Sequence, residues 1–252
     1  GLANYMNDES SLTLTYTGLA LLLLVVYGWF SYVVNESEGG LYDAQVDMSF
    51  RWGMAWFIFS EVMFFAAFFG ALYYARELSL PWLAGEGTKV STNQELWPTF
   101  ENVWPSNGPA NVGGEFIVMK AAGIPALNTI ILLISGLTVT WAHHGLKEGK
   151  RNQLILGLTA TVLLGFIFVG FQAYEYSHAY NDLNLKMTSG MYGSTFYMLT
   201  GFHGFHVTLG AIMLTVILFR CIKGHFTNEN HFGFEAVAWY WHFVDVVWLG
   251  LF

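Results

Sequence analysis

Residues 56–69, WFIFSEVMFFAAFF, decide the class of fold that this sequence can adopt. Ten of the fourteen residues are aromatic, aliphatic or sulfur-containing, two are alanine, and Glu61 lies in the middle. Such an apolar run is expected inside a lipid bilayer, where an ionised carboxylate costs a few kcal/mol even on lenient insertion scales. A carboxylate kept at this position therefore predicts a specific polar partner or a functional role.

The composition of the whole chain supports a membrane protein. Of its 252 residues, 54% are hydrophobic and 11% are charged, against about 25% charged residues in ordinary soluble domains. The net charge of −8 provides no basic face for nucleic acid. Cys221, the single cysteine, excludes an internal disulfide and a zinc cluster built on thiolates. We expect no cleavable signal peptide, and we expect the sequence to be a piece of a slightly longer chain.

Apolar stretches long enough to cross a bilayer, about 20 residues, occur six times. Residues 1–7 resemble the tail of an earlier span, so that the intact protein would have seven. The fold class predicted is therefore all-α, a polytopic membrane helix bundle. The six predicted spans are residues 11–34, 49–74, 124–146, 152–178, 191–219 and 234–252.

The connections between the spans are short except for residues 77–122, which contain four of the five prolines. We predict that this segment is an ordered extramembrane loop. Basic residues in short loops favour the cytoplasmic side, and they are concentrated at 147–151 (KEGKR) and 220–224 (RCIKG). We therefore place 147–151 and 220–232 in the cytoplasm and the long loop outside.

The predicted spans carry a defined polar set besides Glu61. Glu61 lies about 15 Å along the helix from Arg51, and we expect a protonated acid that donates a hydrogen bond to a neighbouring helix. The other polar side chains recur at helical spacing, so that each group shares one helix face. The groups are Gln172, Glu175 and His178; His203 and His206; and Glu235, Trp239, His242 and Asp245.

The eight histidines raise the question of a metal or haem site. His143 and His144 point about 100° apart on a helix, which suits one ligand rather than two. His203 and His206 could share a metal, but their helix offers no third ligand to complete a set. We therefore predict no metal and interpret the histidines as hydrogen-bonding groups between helices. Nucleophile–base pairs, phosphate loops and paired catalytic carboxylates are not recognisable, so we predict no catalytic residue.

Five blocks of sequence, in order, resemble subunit III of the haem–copper cytochrome c oxidases. The resemblance covers nearly the whole chain. The blocks are FRWGMAWFIFSEVMFF (50–65), LNTIILLISGLTVTWAHH (127–144), QAYEYSHA (172–179), YGSTFYMLTGFHGFHV (192–207) and HFGFEAVAWYWHFVDVVWL (231–249).

The resemblance implies one membrane domain, residues 1–252, of seven helices without a redox metal. Residues 1–48 would hold the end of helix 1 and helix 2, and 49–252 a five-helix bundle, with a phospholipid-filled cleft between the two parts. The presence of span 11–34 favours the cytochrome c branch over the quinol oxidases. The long loop resembles proteobacterial versions and implies a bacterial inner membrane. Segment 37–46, SEGGLYDAQV, departs from members that have histidines near lipid head groups.

The function implied is that of an accessory, non-catalytic subunit of a proton-pumping oxidase that reduces O2 to water. Its partners would be subunit I as the main contact, subunit II, a small subunit IV, phospholipid, and cytochrome c through the complex. Haem a, haem a3 and copper would lie in partner subunits, and this chain would have structural phospholipids but no cofactor. Expected lipid-binding residues are Arg220, Glu61 and Trp29, and expected buried polar or proton-related residues are Glu61, Glu175, His178, His203, His206, Glu235, His242 and Asp245.

Two other classes of function remain open from the residues alone. A haem-bearing or quinol-oxidising respiratory membrane subunit would use His178, His203, His206 and His242. A transporter built on the buried carboxylates would call for inverted repeats and broken helices, which the sequence does not show.

Overall fold

The computed structural model describes Tyr5 and residues 12–252, which form helices and connecting segments without a β-strand. The predicted all-α class is thus confirmed. The described chain divides into two compact units, Gly1–Trp52 and Gly53–Phe252. The expected tail of an earlier span at residues 1–7 lies outside the described residues except for Tyr5.

Six long helices coincide with the six predicted spans. Their ends differ from the prediction by at most a few residues, apart from the start and the extension of the second helix. The helices are α1 (Thr13–Glu38), α2 (Ala44–Tyr74), α3 (Ile124–Lys147), α4 (Arg151–Asn181), α5 (Gly190–Lys223) and α6 (Phe232–Leu251).

Helix α2 begins five residues before the predicted start at residue 49. The backbone N–H of Val46 donates to Oδ1 of Asp43 at 2.9 Å, which caps the first turn of the helix. One turn later, Nε of Arg51 lies 2.7 Å from Oδ2 of Asp47, a pair at i, i+4 that supports the helix. The connection predicted at 35–48 is therefore reduced to residues 39–43, since α1 also extends to Glu38.

The segment after α2 was predicted to be a loop from residue 77, but its first residues are helical. A π-helical turn at Ala75–Ser79 leads into a further helical turn, Leu80–Leu83. Pro81 has no N–H for the normal i→i−4 bond, and a π turn is one way for a helix to accommodate this loss. Two short helices follow, Gly87–Lys89 and Val90–Leu96. The side chain of Asn93, in the second of them, links this helix to the preceding turn. Its Nδ2 donates to the carbonyl oxygens of Leu83 and Trp97 at 2.9 and 2.8 Å.

Within the part of the chain that the structure describes, five of the long helices have the length and hydropathy of membrane spans: α1, α2 with its extension to Leu83, α3, α4 and α5. Helix α6, the sixth predicted span, has 20 residues but is not among them. Its three tryptophans, its tyrosine and histidine, and its two carboxylates lower the mean hydropathy of the segment. Nine of the residues of α6 are buried against the rest of the bundle.

Within the first unit, α1 is apolar on all sides. Its hydropathy is 1.9 averaged over an 18-residue window, and each of its side chains is at least partly exposed in this chain. A helix that is hydrophobic all round belongs in a membrane or in a protein core. The polar end of α1 is joined to the following turn by the Tyr42 hydroxyl, which donates to Oε2 of Glu36 at 2.8 Å.

Within the second unit, α3 to α6 pack in a closed order, α3 on α4, α4 on α5, α5 on α6, and α6 on α3. Trp241 of α6 lies fully buried at the centre. Its indole Nε1 donates to Oγ of Ser135 on α3 at 2.9 Å. A Cβ atom at Gly165 of α4 or Gly210 of α5 would lie 2.9 or 2.8 Å from the indole ring. Glycine at these two positions is what lets three helices approach one tryptophan.

Candidate functional site

Glu61 and His206 form the most direct polar link between α2 and α5. Oε2 of Glu61 lies 2.8 Å from Nε2 of His206, and their side chains are 21% and 9% exposed. The ring of Phe65 lies 5.1 Å from the imidazole, and the ring of Tyr240 stacks on it at 6.3 Å. The carboxylate of Glu61, in the middle of its span, therefore has a buried partner on a neighbouring helix.

The hydrogen bonds of His206 fix how many protons this pair holds. Nδ1 of His206 lies 2.6 Å from the carbonyl oxygen of Phe202, and because a carbonyl can only accept, Nδ1 carries a hydrogen. One further proton then lies between Nε2 and Glu61. It is on the carboxyl oxygen of a neutral pair, or on the imidazolium of an ion pair. The arrangement can hold a single proton between two atoms that lie 2.8 Å apart.

His203 lies one turn from His206 on α5 and is fully buried. Its Nε2 donates to the carbonyl oxygen of Val244 on α6 at 3.2 Å. The rings of Phe168 and Trp248 lie 5.7 and 4.9 Å from the imidazole. His203 therefore joins α5 to α6 within an aromatic cluster.

His242 and Asp245 of α6 face α3. Nδ1 of His242 lies 3.6 Å from Oδ2 of Asp245, and its Nε2 lies 3.2 Å from Oγ1 of Thr140. A Cβ atom at Gly136 of α3 would lie 2.5 Å from the same Oδ2, so the carboxylate packs directly on the backbone of α3. Asp245 is buried, whereas the side chain of His242 is 46% exposed.

The three residues Gln172, Glu175 and His178 of α4 share a face as predicted, but the hydrogen-bond partner of His178 lies elsewhere. Nδ1 of His178 lies 2.6 Å from Oδ2 of Asp182, and both of these side chains are largely exposed. Glu175 is buried, and its Oε1 has no hydrogen-bond partner among the described residues. Glu175 and His178 line a cavity of about 370 Å³ together with apolar residues of segment 117–125.

A cluster that the sequence reasoning missed lies where α3 ends and α6 begins. It consists of His143, His231 and Glu235, each with one nitrogen or carboxylate oxygen within 4.8 Å of the others. Glu235 was expected as part of the α6 stripe, but His231 was not singled out. The spacing of four residues between His231 and Glu235 was the available signal, because it places both on one face of a helix.

Two of the expected lipid-binding residues have aromatic contacts within their own units. The guanidinium carbon of Arg220, near the end of α5, lies 4.3 Å from the ring centroid of Phe226. Trp29 of α1 is 65% exposed, and its ring stacks on Phe30 at 5.5 Å. Glu61 is engaged with His206. Lipid contact by the three residues stays a prediction.

The histidines considered for haem ligation have hydrogen-bond partners elsewhere. His178 bonds Asp182, His203 bonds a backbone carbonyl, His206 bonds Glu61, and His242 lies beside Thr140. Haem ligation by a pair of histidines would require two rings to present free nitrogens to one iron. The arrangement favours structural and proton-sharing roles for these rings.

Comparisons with known proteins identify relatives over nearly the whole chain. A sequence model of the family Cytochrome c oxidase subunit III matches residues 1–87 and 93–252. Proteins named "Cytochrome c oxidase subunit 3" from Tetraodon nigroviridis and Gadus morhua are 45% and 44% identical over 253 residues, covering 100% of this chain and 86% of each relative. The one from Oncorhynchus mykiss is 45% identical over 243 residues, or 96% of this chain and 82% of the relative. These relatives are fish proteins, so they give no support to the expected proteobacterial type.

Proposed function

Because this chain belongs to the cytochrome c oxidase subunit III family, we propose that it is the accessory, non-catalytic subunit of an oxidase that transfers electrons from cytochrome c to O2. The observation that carries the proposal is the family match over residues 1–87 and 93–252. The engagement of His178, His203, His206 and His242 with other protein groups agrees with it. Haem a, haem a3 and copper would reside in the partner subunits, where electron transfer and O2 reduction take place.

The work of this subunit is to hold the catalytic subunit and its lipids in place. Subunit I is the main proposed contact, followed by subunit II and a small subunit IV. The large exposed apolar area of α1 and of the outer faces of α3 to α5 is suited to lipid tails and to partner helices. Phospholipids held by Arg220, Glu61 and Trp29 would assist the approach of O2.

The membrane that houses the complex is an energy-transducing inner membrane. The fish relatives favour the mitochondrial inner membrane, whereas the bacterial inner membrane rests on the length of the loop 77–122 alone. Fractionation of the source cells, followed by detection of the chain with an antibody against loop 77–122, separates the two locations.

Purification through an affinity tag on this chain tests the proposal. The tagged chain should carry with it a catalytic subunit with the absorbance of haem a and oxidase activity towards reduced cytochrome c. Separation of the chain from that complex should leave it without a Soret band. A tagged chain that is recovered without any haem-containing partner from respiring membranes would refute the proposal.

A Soret band on the isolated chain would favour the alternative of a haem-bearing subunit. Oxidation of quinol in place of cytochrome c by the purified complex would favour the quinol-oxidising alternative. Both results are measurable on the same preparation.

A further inference from the structure

Three side chains, from the end of α3 and the start of α6, converge at the end of the bundle that carries the 147–151 turn. His143 lies in the last turns of α3, His231 immediately precedes α6, and Glu235 lies in the first turn of α6. Nε2 of His143 lies 3.6 Å from Oε1 of Glu235, and Nε2 of His231 lies 3.4 Å from the same oxygen. The two imidazole rings are 5.4 Å apart and nearly perpendicular.

The ring proton of His231 lies on Nδ1, so that Nε2 is available to bind a metal. Nδ1 of His231 lies 3.1 Å from the carbonyl oxygen of Thr227, which can only accept a hydrogen bond. In the neutral ring Nδ1 is thus protonated, and Nε2 presents its lone pair to Glu235. Histidine ligands in metal sites are commonly oriented in this way, by a hydrogen bond from the second ring nitrogen to a carbonyl oxygen.

The nitrogens that point into the cluster lack hydrogen bonds. Nε2 of His143 and Nε2 of His231 are both buried and without a hydrogen-bond partner among the described residues. Their distances to Glu235, 3.6 and 3.4 Å, exceed the usual length of a hydrogen bond. A buried polar atom without a partner costs about 1–3 kcal/mol. Two such nitrogens facing one carboxylate therefore indicate that a cation binds between them.

Two of the three spacings between these ligand atoms suit a tetrahedral metal ion, and the third is within 4.8 Å. Zinc binds histidine nitrogen and carboxylate oxygen at about 2.0–2.2 Å, so two ligands of a tetrahedral site are separated by roughly 3.3–3.5 Å. The two nitrogen–oxygen distances in the cluster, 3.6 and 3.4 Å, agree with that separation within a few tenths of an ångström. Two histidines and one glutamate form a known donor set for zinc, with the fourth position left for water.

The cluster is also reachable from outside the bundle. The side chains of His143, Glu235 and His231 are 21%, 13% and 8% exposed. An ion can therefore enter past His143, while His231 and Glu235 hold it against the helix ends. Neither the Glu61–His206 pair nor the Asp245–His242 pair is part of this cluster.

We propose that His143, His231 and Glu235 bind one zinc ion, which ties the end of α3 to the start of α6. In this position the ion would join two helices at the ends that adjoin the 147–151 turn and the 224–231 connection. The inference is independent of the electron-transfer function of the complex, because zinc does not change its oxidation state.

Elemental analysis of the intact purified complex tests the proposal. Zinc per complex is measured by mass spectrometry for the parent and for His231→Gln and Glu235→Gln, with copper and iron as internal standards of complex concentration. We expect each variant to contain one zinc equivalent less than the parent, whatever zinc the other subunits contain. The matched control is His144→Gln, which changes the exposed histidine next to His143 and should retain the parental zinc content.

Equal zinc content in the parent and in both assembled variants would overturn the proposal and assign the cluster to hydrogen bonding alone. The second measurement needs no variant. Parent complex is stripped with a chelator and reloaded with zinc, and the zinc X-ray absorption of the reloaded sample is recorded. The zinc regained should include one ion per complex with two imidazole ligands and oxygen at about 2.0–2.2 Å. Failure to regain zinc, or a shell without imidazole, would equally reject the site.

Discussion

At the scale of single residues, Glu61 owes its place in an apolar span to His206. The pair is held by a 2.8 Å contact between α2 and α5, and the Phe202 carbonyl dictates that His206 uses Nε2 towards Glu61. The carboxyl group and the imidazole thus satisfy each other in a place where neither could be solvated by water. The contact with His206 thus offsets the free energy that is lost when the carboxyl group of Glu61 is removed from water.

Substitution of Glu61 separates the hydrogen bond from the ionisable group. In Glu61→Gln the side-chain amide can still donate to Nε2 of His206, so the subunit should stay attached to the complex. In Glu61→Ala the same nitrogen is left buried without a partner, which costs about 1–3 kcal/mol, and the subunit should dissociate more readily. Retention of the subunit during size-exclusion chromatography in detergent measures the effect, with the exposed Glu95→Ala as control.

The glutamine variant also tests whether Glu61 takes part in proton handling, as expected from the sequence. An amide cannot take up or release a proton, so Glu61→Gln should lower the number of protons pumped per electron or shorten the lifetime during turnover. Reconstituted vesicles give the first quantity, and prolonged oxygen consumption gives the second. Parental values for both quantities in a fully assembled Glu61→Gln complex would leave the pair with a structural role alone.

Arg220 allows a second prediction at this scale. Its guanidinium lies over Phe226 at the end of α5 and is suited to bind a lipid phosphate. Arg220→Ala should lower the amount of tightly bound phospholipid per purified complex, measured by phosphorus analysis after delipidation with detergent. The neighbouring exposed Lys223→Ala should have a smaller effect. The same lipid content in Arg220→Ala as in the parent would exclude the phosphate contact.

At the scale of helices, the second unit is organised around Trp241. Its indole contacts Gly165 of α4 and Gly210 of α5 and hydrogen-bonds to Ser135 of α3. Small residues at such positions let helix backbones approach closely, which increases van der Waals contact between helices in membranes. Trp248 of α6 makes a similar hydrogen bond to α3, because its Nε1 donates to Oγ1 of Thr129 at 2.9 Å.

An added methyl group at these glycines should therefore disturb the bundle. Gly165→Ala and Gly210→Ala place a Cβ atom 2.9 and 2.8 Å from the indole, and overpacking of this kind typically costs about 1–3 kcal/mol. Gly170→Ala on the same helix as Gly165 is the matched control, because its Cβ atom would meet nothing within 4 Å. Thermal unfolding of the purified complex should show lower midpoints for the first two variants only. An equal midpoint for Gly165→Ala and Gly170→Ala would contradict the packing argument.

At the scale of the whole molecule, three histidines of the long helices join neighbouring helices to one another. His203 and His206 connect α5 to α6 and α2, and His242 connects α6 to α3. Hydrogen bonds between helices in membranes are worth about 0.6 kcal/mol each on average. Their loss should weaken the attachment of the subunit without removing any redox centre.

Single replacements of His203, His206 and His242 by Gln or Asn test this role. The haem absorbance of each assembled complex should equal that of the parent, while the subunit itself should be released at lower detergent concentration. Reduced-minus-oxidised difference spectra provide the measurement, and His144→Gln serves as the exposed control. Disappearance of a haem band in any one variant would restore the haem-bearing alternative.

The sequence by itself determined the membrane class, the six long helices and the polar residues inside them. Apolar length specifies a span regardless of its neighbours, and helical spacing places His203 with His206 and His242 with Asp245 on common faces. The sequence was less reliable at helix ends, where the side chain of Asp43 starts α2 early, and for α6, whose aromatic residues lower its hydropathy.

Only the tertiary structure decided which polar residues meet. Spacing along one helix cannot show that Glu61 reaches His206 across 145 positions, or that His178 turns to Asp182 rather than to Glu175. It also could not join His143 of α3 to His231 and Glu235 at the start of α6. Such contacts depend on the direction and distance of neighbouring helices, which are set by close packing at residues such as Gly165 and Trp241.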